Sequence, residues 1–135
     1  MNFKKYEDYF HDGSLSNIQT LGQDINLYIT SAEMDPDDFE EGFNLVQGDR
    51  LKGVLKLENV YKIVVNKKIH EGDLRLISEH AGIMNLEIHE GKVVLAISWA
   101  KYSDRNFHDF TVNEIFCENA VFYIDERVGE DSLEE

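Results

Sequence analysis

Two tripeptides recur in this chain: Phe10-His11-Asp12 with Phe107-His108-Asp109, and His70-Glu71-Gly72 with His89-Glu90-Gly91. Imidazole and carboxylate together can ligate a metal or move a proton, and an Asp can fix the tautomer of a His that does either. The two Phe-His-Asp copies would make such a centre if they met in space. On a strand, however, adjacent residues point to opposite faces, so the His and Asp of one copy can act together only at a turn. The plainer reading has each Phe anchoring a strand end while His and Asp make turn hydrogen bonds. His-Glu-Gly reads as turn chemistry, its glycine supplying a positive φ.

Other catalytic and metal signatures do not occur in the sequence. A structural zinc site needs three or four Cys, His or carboxylate ligands, and the chain has one Cys and no His-Glu-x-x-His. Read as an EF-hand from Asp35, the loop would need Asp or Asn near 39 and Gly at 40; it has Phe39 and Glu40. Calcium-binding sandwiches of the C2 type draw aspartates from two or three loops, and only one dense acidic loop is present. There is no Gly-x-Ser-x-Gly elbow and no Gly-rich phosphate cradle. Cys117, inside Ile115-Phe116-Cys117, reads as a small buried hydrophobe. The 27 carboxylates offer many glycosidase-like pairs, but nothing singles one out. The expectation is a chain with no catalytic residue, no cofactor and no metal site, and not an enzyme.

What the chain has in quantity is negative charge. Its 135 residues carry 27 Asp and Glu against 13 Lys and Arg, a net charge of −14. Residues 33–41 hold six carboxylates and no base, and residues 125–135 hold six against Arg127 alone. The rest is close to balance. Such a field repels nucleic acid and anionic lipid heads, whose binding needs Lys and Arg, and it speeds encounter with a basic protein. Phe39 and Phe43 are apolar residues within the first acidic stretch. Aromatic anchors supply binding energy where charge supplies mainly rate. The candidate partner-binding residues are therefore Glu33, Asp35, Asp37, Asp38, Phe39, Glu40, Glu41 and Phe43. Against this stand a merely solvated loop and phenylalanines tucked back into the core.

Alternation supplies the elements that would hold these groups. Val93, Leu95, Ile97 and Trp99 share one face, as do Met84, Leu86 and Ile88. With Glu90-Gly91 as a two-residue loop, Ile88 faces Val93, Leu86 faces Leu95 and Met84 faces Ile97, as a one-face-buried hairpin requires. A second hairpin turns at Gly22-Gln23, setting Ile18 against Leu27, with Ile25, Leu27 and Ile29 on one face. Odd positions from Leu51 to Val65 are largely apolar, giving one long bent strand or two joined near Glu58-Asn59. Residues 110–117 and 120–125 form a last strand pair; with Glu118-Asn119 as the loop, Ile115 faces Phe122 and Cys117 faces Ala120. Phe3, Tyr6 and Phe10 have helical spacing, and 73–81 fits a helix or a strand. The expected fold is mainly β: an antiparallel β-sandwich or partly open barrel of about eight strands, with one or two short helices. Residues 1–125 form the single β domain and 126–135 an acidic tail of disorder-prone composition. No apolar run is long enough for a membrane span and the start offers no signal-peptide stretch, so the expected location is cytoplasmic.

The stretch Tyr9-Phe10-His11-Asp12-Gly13-Ser14-Leu15, followed by Ile18 and by Ile25-Asn26-Leu27-Tyr28-Ile29, resembles small bacterial β-rich proteins that open with aromatic-His-Asp-Gly/Ala and an aliphatic strand. The likeness extends to Val94-Leu95-Ala96-Ile97-Ser98-Trp99 and covers about a third of the chain. Some of those proteins are immunity proteins of polymorphic toxin systems, and many are uncharacterised. The resemblance implies a binding role and carries over no catalytic residue. The expected function is thus an immunity-like protein-binding module acting through its acidic surface. The competing classes are a ligand- or calcium-binding sandwich and a structural or oligomer-forming protein.

Overall fold

Period-two burial builds this molecule. The computed structural model describes residues 10–32, 50–101 and 103–124, the side chains of Arg105 and Phe107 excepted. They form nine strands: β1 (Ser14–Leu21), β2 (Asp24–Thr30), β3 (Lys52–Glu58), β4 (Lys62–Val65), β5 (Lys68–Ile69), β6 (His80–His89), β7 (Lys92–Lys101), β8 (Asp104–Phe116) and β9 (Asn119–Ile124). All belong to one antiparallel sheet in the order β5-β4-β8-β7-β6-β1-β2-β3-β9. The mainly β expectation holds, with nine strands in one sheet instead of two separate layers, and the sheet is not a closed barrel. Among the described residues the only helical geometry is a 3₁₀ turn at Phe10. Phe3 and Tyr6 lie outside them.

The local hairpins follow their turn chemistry. Gly22 has φ 62° and Ile18 faces Leu27; β2 buries Ile25, Leu27 and Ile29 while Asn26, Tyr28 and Thr30 take the other side. Gly91 (φ 79°) turns β6 into β7, with Ile88 opposite Val93 and Leu86 opposite Leu95. The third expected pair is wrong. A bulge between Ile83 and Asn85 sets Ile83, not Met84, against Ile97, and leaves Met84 42% exposed. One extra residue in a strand reverses the alternation beyond it. The stretch from Leu51 to Val65 resolves into two strands, parted at Asn59, whose φ is 54°.

Two further expectations give way. β8 does not pair with β9, because β7 and β4 already occupy both of its edges. The chain crosses through Cys117-Glu118 and β9 adds to β3 instead, with Phe122 opposite Leu55 and Ala120 opposite Leu57. Residues 73–81 are neither a helix nor one strand: the chain is irregular to Glu79, and His80-Ala81 opens β6. Only Leu74 of the irregular part is buried, too little apolar surface to seat a helix on the sheet.

The sheet curls so that its two halves face each other. Glu118 N–H donates to Glu58 O at 2.9 Å and Cys117 N–H to Gly91 O at 3.2 Å, drawing the end of β3 and the β6–β7 turn to one place. Val60 N–H donates to Gln23 O and Tyr61 N–H to Phe116 O, lacing the same rim. Along the sheet these strands are several places apart, so only curvature brings them together. β1 and β6 join the halves at a single pair, Ser14 with Gly82. One core lies between: Leu27, Ile29, Leu55, Leu57 and Phe122 from one half, Ile83, Val93, Leu95, Ile97, Trp99 and Ile115 from the other. Phe10 packs edge-on to Phe122, ring centroids 5.6 Å apart.

Candidate functional site

The two Phe-His-Asp copies do not form one centre. His11 Nε2 lies 3.8 Å from Asp12 Oδ2 with side chains 59% and 74% exposed, a loose surface pair of little energetic weight. Asp12 sits in a tight turn at φ 68°, its N–H donating to Ile83 O at 2.8 Å. His108 and Asp109 are exposed on β8, and Asp109 Oδ1 accepts from Phe110 N–H at 2.8 Å. β6 and β7 lie between the two copies in the sheet. No group of three His, Cys, Asp or Glu able to hold a metal occurs among the described residues. In the His-Glu-Gly pair, Gly72 and Gly91 both take positive φ, 82° and 79°, in keeping with turn chemistry. Cys117 is buried, and loss of solvation pushes its thiol pKa up against a smaller opposing effect of the Asn119 backbone. A thiol held protonated is a poor nucleophile.

Asp12 instead shares an open polar hollow of about 520 Å³ with Ser14, Arg50, His80 and Ser98, where β1 and β6 barely touch. Gly13 also lines it, and a Cβ there would fall on the Thr30 carbonyl oxygen, a backbone atom that cannot step aside. Sequence reading passes over Arg50 and His80, because long-range strand pairing alone puts them beside Asp12.

The proposed partner-binding residues, Glu33, Asp35, Asp37, Asp38, Phe39, Glu40, Glu41 and Phe43, lie outside the described residues, as does 125–135. What the fold fixes is where the chain leaves for both stretches and where it returns. Buried Ser31 clasps Leu51: its N–H donates to Leu51 O at 2.7 Å, and its Oγ accepts from Leu51 N–H at 2.8 Å. Thr30 pairs with Lys52, and the neighbouring Gly53 pairs with Ile124. The ends of β2 and β9 and the start of β3 are therefore side by side at one end of the sheet, roughly 5 Å from strand to strand. The described residues carry ten Lys and Arg against twelve Asp and Glu. Nearly all the net charge therefore belongs to the remaining stretches.

A second feature lies between the halves of the sheet. A cavity of about 220 Å³ is walled by Ile18, Val65, Leu74, Ile77, Ile97 and Trp99. Its floor carries polar groups that the core must satisfy. Trp99 Nε1–H donates to Thr111 Oγ1 at 2.8 Å; Asn113 Nδ2 donates to Leu95 O at 2.9 Å and to Thr111 Oγ1 at 3.0 Å. Asn113, 2% exposed, lines the cavity. The irregular segment before β6 forms the mouth, held by His70 Nε2 and Asp73 O at 3.1 Å. Sequence reading missed this site, although Thr111 and Asn113 leave a trace: both stand on the inward parity of β8, two places apart, where Ile115 and Cys117 follow.

Against known proteins, no family model, no curated protein and no solved structure matches this chain.

Proposed function

We propose that this chain is a non-catalytic binding module that recruits a basic protein through its acidic stretches, in the manner of an immunity protein. The observation that carries the reading is the tethering of both stretches at one end of a nearly neutral framework. Carboxylates spread over a surface would give solubility; acidic stretches attached within two strands of each other give one end a directed negative potential that steers and orients a basic partner. Phe39 and Phe43 supply the apolar anchors that charge lacks. The acidic exterior disfavours nucleic acid and anionic membrane as partners.

The test is capture from the native host with three baits: the natural chain, Phe39→Ala/Phe43→Ala, and a neutralised chain carrying Glu33→Gln, Asp35→Asn, Asp37→Asn, Asp38→Asn, Glu40→Gln and Glu41→Gln. The natural chain is expected to retain a basic protein whose association slows as salt rises. The neutralised chain should associate at least tenfold more slowly, in line with the size of steering effects. The double alanine variant should release the partner faster. Equal capture by all three baits removes this interface.

A further inference from the structure

The cavity between the halves of the sheet has the makings of a ligand site. We propose that it binds a small neutral aromatic molecule bearing a hydrogen-bond donor.

Three observations carry this. The first is Asn113. Its Nδ2 is saturated by Leu95 O and Thr111 Oγ1, yet its Oδ1 accepts no hydrogen bond from the described residues, in a side chain 98% buried that lines the cavity. Unlike Asn26 Oδ1, that oxygen is not sealed from water, so it stays an open acceptor at the cavity. A ligand O–H or N–H in the cavity takes the place of water there. The second is the wall. Isoleucine, leucine and valine side chains and Trp99 leave nothing charged on the floor; Asp73 and Arg75 stand exposed at the rim. An ion would lose its hydration with no countercharge inside, whereas an aromatic ring can stack or sit edge-on to the indole. The third is the mouth. Leu76 and Ile77, 37% and 44% exposed, line the opening from the irregular segment and would be covered by an occupant.

Size narrows the class. A cavity of about 150 Å³ holds benzene, so one of about 220 Å³ takes a substituted single ring of roughly eight or nine non-hydrogen atoms by the same proportion. The proposal stands or falls apart from the protein-binding reading.

The probes are 4-methylphenol and para-xylene, of equal size and shape, which differ by a hydroxyl in place of a methyl group. Trp99 is the single tryptophan and lines the cavity, so its fluorescence reports occupancy directly. The natural chain should bind 4-methylphenol saturably and about tenfold more tightly than para-xylene, although para-xylene is the more hydrophobic, as one buried hydrogen bond allows. In Asn113→Leu that preference should vanish. Because Asn113→Leu also removes hydrogen bonds to Leu95 and Thr111, Val65→Phe serves as a second variant. It fills the cavity from a half-buried position on β4, and it should unfold cooperatively while binding neither compound. No saturable response to either compound in the natural chain overturns the proposal. So does an undiminished preference in Asn113→Leu, or undiminished binding in Val65→Phe.

Discussion

Trp99 Nε1–H and Asn113 Nδ2 converge on one acceptor, the Thr111 hydroxyl, at 2.8 and 3.0 Å inside a core that is otherwise aliphatic and aromatic. The indole N–H and one of the two Asn113 N–H bonds thus depend on a single oxygen, the other Asn113 N–H going to Leu95 O. Thr111→Val keeps the shape and removes the oxygen, leaving the indole N–H and one Asn113 N–H without an acceptor, and should cost about 2–4 kcal/mol, from one to two unsatisfied groups. Thr111→Ser keeps the oxygen and should cost about 1 kcal/mol, the worth of a lost buried methyl group. Urea unfolding of both variants checks this; a valine variant no weaker than the serine variant would show that the donors find other partners. Sequence reading goes to His11, Asp12, His108 and Asp109 because their types promise chemistry, yet all four are exposed. The informative residues are polar ones in a buried register, and that register is visible only once β8 is known to lie between β7 and β4. Types alone point outward; burial points to Thr111 and Asn113.

At the scale of elements, pairings closed by short turns are legible and pairings closed by long connections are not. Gly22-Gln23 and Glu90-Gly91 each set a register from the two residues between their strands, and β2 reads cleanly because its own burial alternates without a break. β9 leaves the strand beside it in sequence and joins β3 some sixty residues earlier, a choice made by which edges are free and not by any local signal. The β6 bulge shows the limit within a hairpin. Both Ile83 and Met84 are apolar, so the pattern alone cannot tell which one faces Ile97. The two registers make opposite predictions. With Ile83 buried and Met84 exposed, Ile83→Ala should cost about 2–4 kcal/mol, while Met84→Lys should change stability by no more than about 0.5 kcal/mol, as surface substitutions do. Thermal or urea melts of the two variants distinguish them, and the reverse ranking would restore the unbulged register. The bulge lies at the seam with β1, where Asp12 N–H reaches Ile83 O, so it also shapes the polar hollow.

For the whole molecule, a curled sheet laced along one rim and joined at a single β1–β6 pair has to hold together while like charges are fastened to it. The framework is near neutrality, but the chain as a whole stands at −14. The two acidic stretches leave from β2 and β9, one on each side of β3. Two like charges about 10 Å apart in water repel by roughly 0.4 kcal/mol before screening, and the two stretches together carry twelve carboxylates. Folding holds the attachment points together, whereas unfolding lets them separate, so the repulsion opposes the folded state. Salt relieves it: the screening length falls from about 30 Å at 0.01 M to about 3 Å at 1 M. The melting temperature of the natural chain should therefore rise by about 3–6 °C over that range, the equivalent of about 1 kcal/mol for a domain of this size. The chain with neutral residues at 33, 35, 37, 38, 40 and 41 should melt higher at low salt and show less than half the salt-dependent rise. Circular dichroism melts of both chains across the salt series provide the measurement. Parallel curves would mean that the carboxylates do not sense one another, and with that the directed potential proposed for partner capture would lose its physical basis.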